Sequence, residues 1–146
     1  MEVRIAAAER DRVLRDYIRG RTWDANPEFR LLRNLVVEGD PLLEGFPLLY
    51  DYEWEVEPGR SDGGCGDLVF SDGEGGFAVV EAKYIDNART GSTARAKRTD
   101  GRKAVREQAL RYAAAFRASD AGTGALVVAF ALTNESGLAR ADFDPW

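Results

Sequence analysis

The run Gly66-Asp67-Leu68-Val69-Phe70-Ser71-Asp72-Gly73-Glu74-Gly75-Gly76-Phe77-Ala78-Val79-Val80-Glu81-Ala82-Lys83 decides how this chain folds. Its middle, Asp72 to Gly76, is an Asp/Gly-rich turn of the kind that closes a β-hairpin. Asp67 to Ser71 reads as a short apolar strand, and Phe77 to Ile85 as the next. Phe77 to Val80 shows no polar alternation, the pattern of a strand covered on both faces. Two charges then interrupt it. Glu81 and Lys83 are two residues apart and therefore share a face. Burying them is costly unless they pair or bind a metal. The alternative is a strand emerging into solvent with an ordinary ion pair. Folding the hairpin at Asp72–Gly76 brings the start of one strand beside the end of the other, so Asp67 lands near Glu81 and Lys83. Two carboxylates beside one ammonium make a site for Mg²⁺ with a lysine to handle water. The alternative for Asp67 is a turn residue after Gly66.

Outward from the hairpin, residues 50–57 alternate aromatic or apolar with acidic side chains, which predicts a half-exposed strand. Pro58 to Gly66, with four glycines, reads as a loop. Residues 86–101 read as a polar, basic loop, followed by a helix from about Arg102 to Ala118. Ala125 to Leu132 is a continuous apolar run, hence a buried strand. Upstream, residues 4–19 predict one helix. Asn26-Pro27-Glu28 starts a second, with Asn as cap, Pro in the first turn and Glu at the positive end. That helix runs to about Val37, before Gly39-Asp40-Pro41. A hairpin beside a helical crossover implies a mixed sheet of about four strands covered by helices, a three-layer α/β/α sandwich. The chain divides into an N-terminal helix (1–23), a core (24–133) and a mostly polar tail (134–146), all one domain.

Composition narrows the chemistry. The 146 residues include no His and one Cys, which excludes His-based nucleophile pairs, His-ligated metals, thiolate zinc sites and intrachain disulfides. Carboxylates, Lys, Arg, hydroxyls and main-chain groups remain, and with them a hard cation such as Mg²⁺ or Mn²⁺. No apolar run approaches a membrane span, and the charged start of the chain is no signal peptide, so the expected compartment is intracellular, cytoplasm or nucleus. The net charge of −5 hides an asymmetry. From Arg89 to Arg106, seven cations oppose Asp100 alone, giving +6 there and −11 elsewhere. Such a stretch, holding Arg95, Lys97, Arg98, Arg102, Lys103 and Arg106, suits a polyanion; the alternative is a solvated helix face.

Two more positions break the local pattern. Glu28 falls on the apolar face formed by Phe29, Leu31, Leu32, Leu35 and Val36, although a first-turn Glu is also favoured by the helix dipole. Glu53 and Glu55 are its rivals for a place in the site. Gln108 and Tyr112 are four apart, hence neighbours on one helix face, with Gln108 at the edge of the stripe Val105, Ala109, Tyr112 and Phe116. An ordinary amphipathic helix would look the same.

Taken together, Gly66-Asp67-Leu68-Val69-Phe70, Val79-Val80-Glu81-Ala82-Lys83 and Gln108-Ala109-Leu110-Arg111-Tyr112 resemble the PD-(D/E)xK nuclease superfamily, of restriction-endonuclease-like fold. The last resembles the QxxxY helix of its exonuclease branch. The resemblance covers roughly residues 24–133, with Gly66 standing where the name-giving Pro would be. It implies that Asp67 and Glu81, with the carbonyl of Ala82, ligate Mg²⁺ (or Mn²⁺). It implies that Glu28 completes the metal site, that Lys83 orients the attacking water, and that Gln108 and Tyr112 support the site or the substrate strand. The implied partner is nucleic acid, DNA before RNA, and the implied reaction is phosphodiester hydrolysis. The other function class consistent with the sequence is a non-catalytic nucleic-acid-binding or protein-interaction module on the same fold, favoured by small size and acidic net charge. A P-loop nucleotide site is disfavoured, since no GxxxxGK[ST] occurs.

Overall fold

The computed structural model describes residues 12–14, 16–19, 26–57, 59–86 and 90–142. Most of the expected first helix, Arg89 and the end of the tail lie outside these residues; 12–14 and 16–18 are helical. The architecture is α/β, with one mixed sheet of five strands. Helix α1 (Pro27–Glu38) precedes β1 (Leu48–Glu57), β2 (Arg60–Ser71) and β3 (Gly76–Lys83). Helix α2 (Ser92–Ala118) then leads to β4 (Leu126–Thr133) and β5 (Gly137–Arg140). The strands lie in chain order, β1-β2-β3-β4-β5. The first three form an antiparallel meander, β3 and β4 are parallel across the α2 connection, and β5 returns antiparallel. No helix among the described residues is long and apolar enough to cross a membrane.

Each face of the sheet has its own core. On one side Leu32 and Leu35 of α1 pack with Leu68, Phe70, Ala78, Val80, Ala82, Phe130 and Leu132. On the other, Ala109, Ala113 and Phe116 of α2 pack with Val69, Phe77, Val79, Val127 and Ala129. Strand alternation divides the sets, and the wholly apolar start of β3 is explained by its cover on both faces. Asn26 caps α1, its side-chain oxygen accepting from the Glu28 amide at 2.8 Å, with Pro27 in the first turn. Those bonds satisfy amides that a helix start leaves open, and they place Glu28 at the mouth of the sheet.

Three boundaries differ from the sequence reading. The sheet has five strands rather than about four, because Gly137–Arg140 pairs with β4, Leu138 opposite Leu132. Four residues are too short to carry a periodic signal. Residues 60–66, read as loop, extend β2, with Gly66 paired to Trp54 and Cys65 to Glu55. Helix α2 begins at Ser92, ten residues earlier than Arg102. Its first turns are Ala-, Lys- and Arg-rich, good helix formers, but they have no buried stripe to announce them.

The glycines of β2 are there for a neighbour. A Cβ at Gly66 would meet the Trp54 indole nitrogen at 2.1 Å, so the ring lies flat against bare main chain. Gly66→Ala should destabilise the fold by about 3 kcal/mol through overpacking. Adding Trp54→Phe should recover part of that loss; urea titration followed by circular dichroism measures both.

Candidate functional site

The charged residues singled out in the sequence meet at the C-terminal end of β3. The β2–β3 ladder pairs Ser71 with Phe77 and continues to Leu68 opposite Val80. One step further, where Asp67 would face Glu81, the side chains take over. The Asp67 amide donates to Glu81 Oε2 at 2.8 Å, and the Ala82 amide donates to Asp67 Oδ2 at 2.8 Å. Each carboxylate therefore accepts from the other strand's main chain, and the two are held side by side. By strand alternation they share the α2 face with Val69 and Val79.

Helix α2 closes this face. Ala109 is completely buried, and its small side chain lets the helix lie close to the sheet. The preceding residue, Gln108, is thereby carried over Glu81, its Nε2 donating to Oε1 at 3.0 Å. Glu81 is thus completely buried and accepts two hydrogen bonds. Burial, then the charge of Asp67, push Glu81 up to about 8, against the two hydrogen bonds that favour its ionised form. Burial also pushes Asp67 up to about 6. The Ala82 amide opposes this shift, while Glu28 and Glu53 add to it. Neither carboxylate makes a salt bridge among the described residues. The Asp67–Glu81 pair is held in place by amide donors, and burial favours the protonated form of both acids.

Lys83 and Glu28 stand at the rim. Glu28 reaches around the strand end from α1: its Oε1 accepts from the Tyr84 amide at 3.3 Å and lies 4.0 Å from Lys83 Nζ. Of the rival acids, Glu53 acts on Asp67 through its charge, whereas Glu55 pairs across the sheet with Cys65. Tyr112 sits beside the site but presents its hydroxyl to the main chain of Gly64, where an added Cβ would lie 2.6 Å from it, and its ring meets Trp54 edge-on. Burial, then the charge of Glu81, raise its hydroxyl pKa. Among the described residues, no group of three or more His, Cys, Asp or Glu side chains is placed to hold a metal ion. The converging donors are two carboxylates, with Glu28 drawn towards Lys83.

The basic residues divide along α2. Lys97 and Arg98 line a cleft that begins at Lys83. Arg102 is engaged by Glu135, Nε to Oε1 at 2.7 Å and Nη2 to Oε2 at 3.0 Å. Arg106 lines a smaller depression with Arg140, while Arg95 and Lys103 are exposed. Two residues that the sequence reading did not single out shape this end. Asn134 grips Ile85 through both main-chain groups, accepting from its amide at 2.6 Å and donating to its carbonyl at 2.9 Å. Tyr84 is 44% exposed beside Lys83. An Asn directly after a buried strand was the only available signal for the first.

Comparison with known proteins gives no match: no family model, no curated protein and no solved structure corresponds significantly to this chain.

The raised Glu81 makes stability pH-dependent. Below its ordinary value of 4.5 the group is protonated folded or unfolded. Between 4.5 and about 8 the unfolded chain ionises first, so stability falls as pH rises through this window. Glu81→Gln, which keeps the shape without the charge, should match wild type in EDTA near pH 4.5. It should exceed wild type by about 1–3 kcal/mol at pH 8.5. Melting curves of both proteins across this range give the difference directly.

Proposed function

We propose that the chain is a metal-dependent nuclease of restriction-endonuclease-like fold, hydrolysing phosphodiester bonds of DNA or RNA. One observation carries this reading: Asp67 and Glu81 are fixed together by crossed bonds to main-chain amides where the β2–β3 ladder ends, Glu81 is completely buried, and neither acid has a salt-bridge partner among the described residues. Such an arrangement is unfavourable as architecture and is of use to a cation.

The donor set fits Mg²⁺ or Mn²⁺. Hard ions of this kind are commonly held by one or two carboxylates while keeping several waters, so a closed cage is not required. Asp67 and Glu81, with the Ala82 carbonyl, would hold it. When bound, the ion supplies a nucleophilic water and Lewis acidity at the phosphoryl oxygens. The chain's own residues do the rest. Gln108 fixes the rotamer of Glu81, and the Ala82 amide fixes that of Asp67. Lys83, half exposed at the strand end, would orient the attacking water and offset charge developing on the phosphate. Glu28 approaches Lys83 at the strand end, and Lys97 and Arg98 would bring a polyanion to the same end. A second reading, a binding module without catalysis, is favoured by one feature: Lys83 approaches Glu28 rather than the carboxylate pair.

The test is cleavage of supercoiled, linear and single-stranded DNA, and of RNA, with Mg²⁺, Mn²⁺ or EDTA. Asp67→Ala and Lys83→Ala should each lower metal-dependent cleavage by about 100-fold or more. Cleavage unchanged in both variants would remove these residues from the reaction. Salt-sensitive binding without cleavage would establish the second reading.

A further inference from the structure

At Lys83 begins a cleft of about 240 Å³, and apart from Lys83, Lys97 and Arg98 its walls have no part in the reaction just described. One wall is the chain that leaves β3, from Lys83 to Asp86. The other is the first part of α2, which presents Ala94, Lys97, Arg98 and Gly101. Their spacing of three, one and three residues places them on a single helix face. Two are small and two are cationic, so the helix contributes positive charge at the middle of this face and small side chains at either end. The space at Gly101 is needed, since a Cβ there would come within 3.1 Å of the Ile85 side chain. On the opposite wall Tyr84 offers an aromatic ring at 44% exposure. The wall is kept in shape by Asn134, which holds Ile85 by amide and carbonyl.

We propose that this cleft binds one unpaired nucleotide of a single-stranded nucleic acid. Its base stacks on Tyr84, and its phosphates lie against Lys97 and Arg98. The inference rests on the nuclease reading only for its orientation, with the scissile phosphate at Lys83 and the next nucleotide in the cleft. The chemistry selects this ligand. An aromatic face beside cations is the usual platform for single strands, because every base has a π-face and every linkage a charge. The volume lies below the ~300 Å³ at which drug-sized sites begin, so it takes one nucleotide unit rather than a duplex. In a duplex the base would first have to leave its stack, at an energetic cost a free strand does not bear.

Binding is measured in EDTA by fluorescence anisotropy, with the full chain and labelled oligonucleotides of one sequence. The arms are single-stranded DNA, single-stranded RNA, the DNA duplex, and an abasic sugar–phosphate strand. Either single strand should bind about tenfold or more tightly than the duplex, and the tighter of the two identifies the natural backbone. Tyr84→Ala should weaken single-strand binding by about tenfold, Tyr84→Phe should restore it, and Lys97→Gln should weaken all arms alike. The abasic strand should bind wild type and Tyr84→Ala equally. Equal or tighter duplex binding, or an unchanged Tyr84→Ala, would overturn the proposal. Adding Mg²⁺ separates the two readings. Tyr84-dependent binding with no cleavage leaves the cleft and removes the nuclease. Asp67-dependent cleavage that prefers duplex and ignores Tyr84 does the reverse.

Discussion

The structure depends on how two acidic side chains are accommodated inside a sheet. Where the β2–β3 ladder ends, the amides of Asp67 and Ala82 lack a strand partner, and an unpaired buried N–H costs about 1–3 kcal/mol. The carboxylates of Glu81 and Asp67 fill those positions. The pair thus closes the β2–β3 ladder much as a cap closes a helix, and strand geometry and side-chain position become one feature. The surrounding residues make this arrangement sustainable. Leu68, Val69, Val79 and Val80 are completely buried next to the pair, and each contributes roughly 1.5–3 kcal/mol by leaving water. Burial of that size holds the strands together despite the charge they carry. It also keeps solvent from Glu81, the condition that raises its pKa.

How far the sequence discloses this follows from where the signals are local. The hairpin turn at Asp72–Gly76 and the unbroken Phe77–Val80 run are local, and together they place Asp67 opposite Glu81. Gln108 was legible as the polar edge of a helical stripe, and it meets Glu81. Asn26-Pro27-Glu28 was legible as a helix start, and the cap forms as written. What escaped depends on distant partners. The glycine-rich stretch before Asp67 looks like a loop until Trp54 is laid against it. The early turns of α2 show no stripe because they have a cleft rather than core beneath them. Asn134 has meaning only beside Ile85, forty-nine residues earlier. The hydroxyl of Tyr112 likewise lies against Gly64, a neighbour that only the folded sheet supplies.

The charge asymmetry also acquires structure. As a count, the segment from Arg89 to Arg106 is uniformly basic. On the helix its cations separate by direction. Arg102 is neutralised by a bidentate bond to Glu135, the residue after Asn134, so one cation ties α2 to the turn that follows β4. Lys97 and Arg98, one turn earlier, face the cleft at the end of β3. A segment-wide electrostatic argument therefore overstates what a ligand would meet. At the end of β3 a ligand would meet Lys83, Lys97 and Arg98, which line one cleft.

Whether Lys83 can act there turns on the strength of its contact with Glu28. The chain on either side of the lysine is well fixed. β3 pairs with β4 up to Lys83 opposite Thr133, the Tyr84 amide is bound by Glu28, and Ile85 is gripped by Asn134. The side chain itself is 52% exposed and the Glu28 side chain 33%, with 4.0 Å between ammonium and carboxylate. A solvated pair at that distance is worth about 0–1 kcal/mol, which a phosphate arriving at the strand end exceeds readily. The contact therefore orients the lysine without sequestering it. A fixed Cα with a loosely held ammonium can meet a phosphodiester on one side while Glu28, already bound to main chain, stays in place on the other.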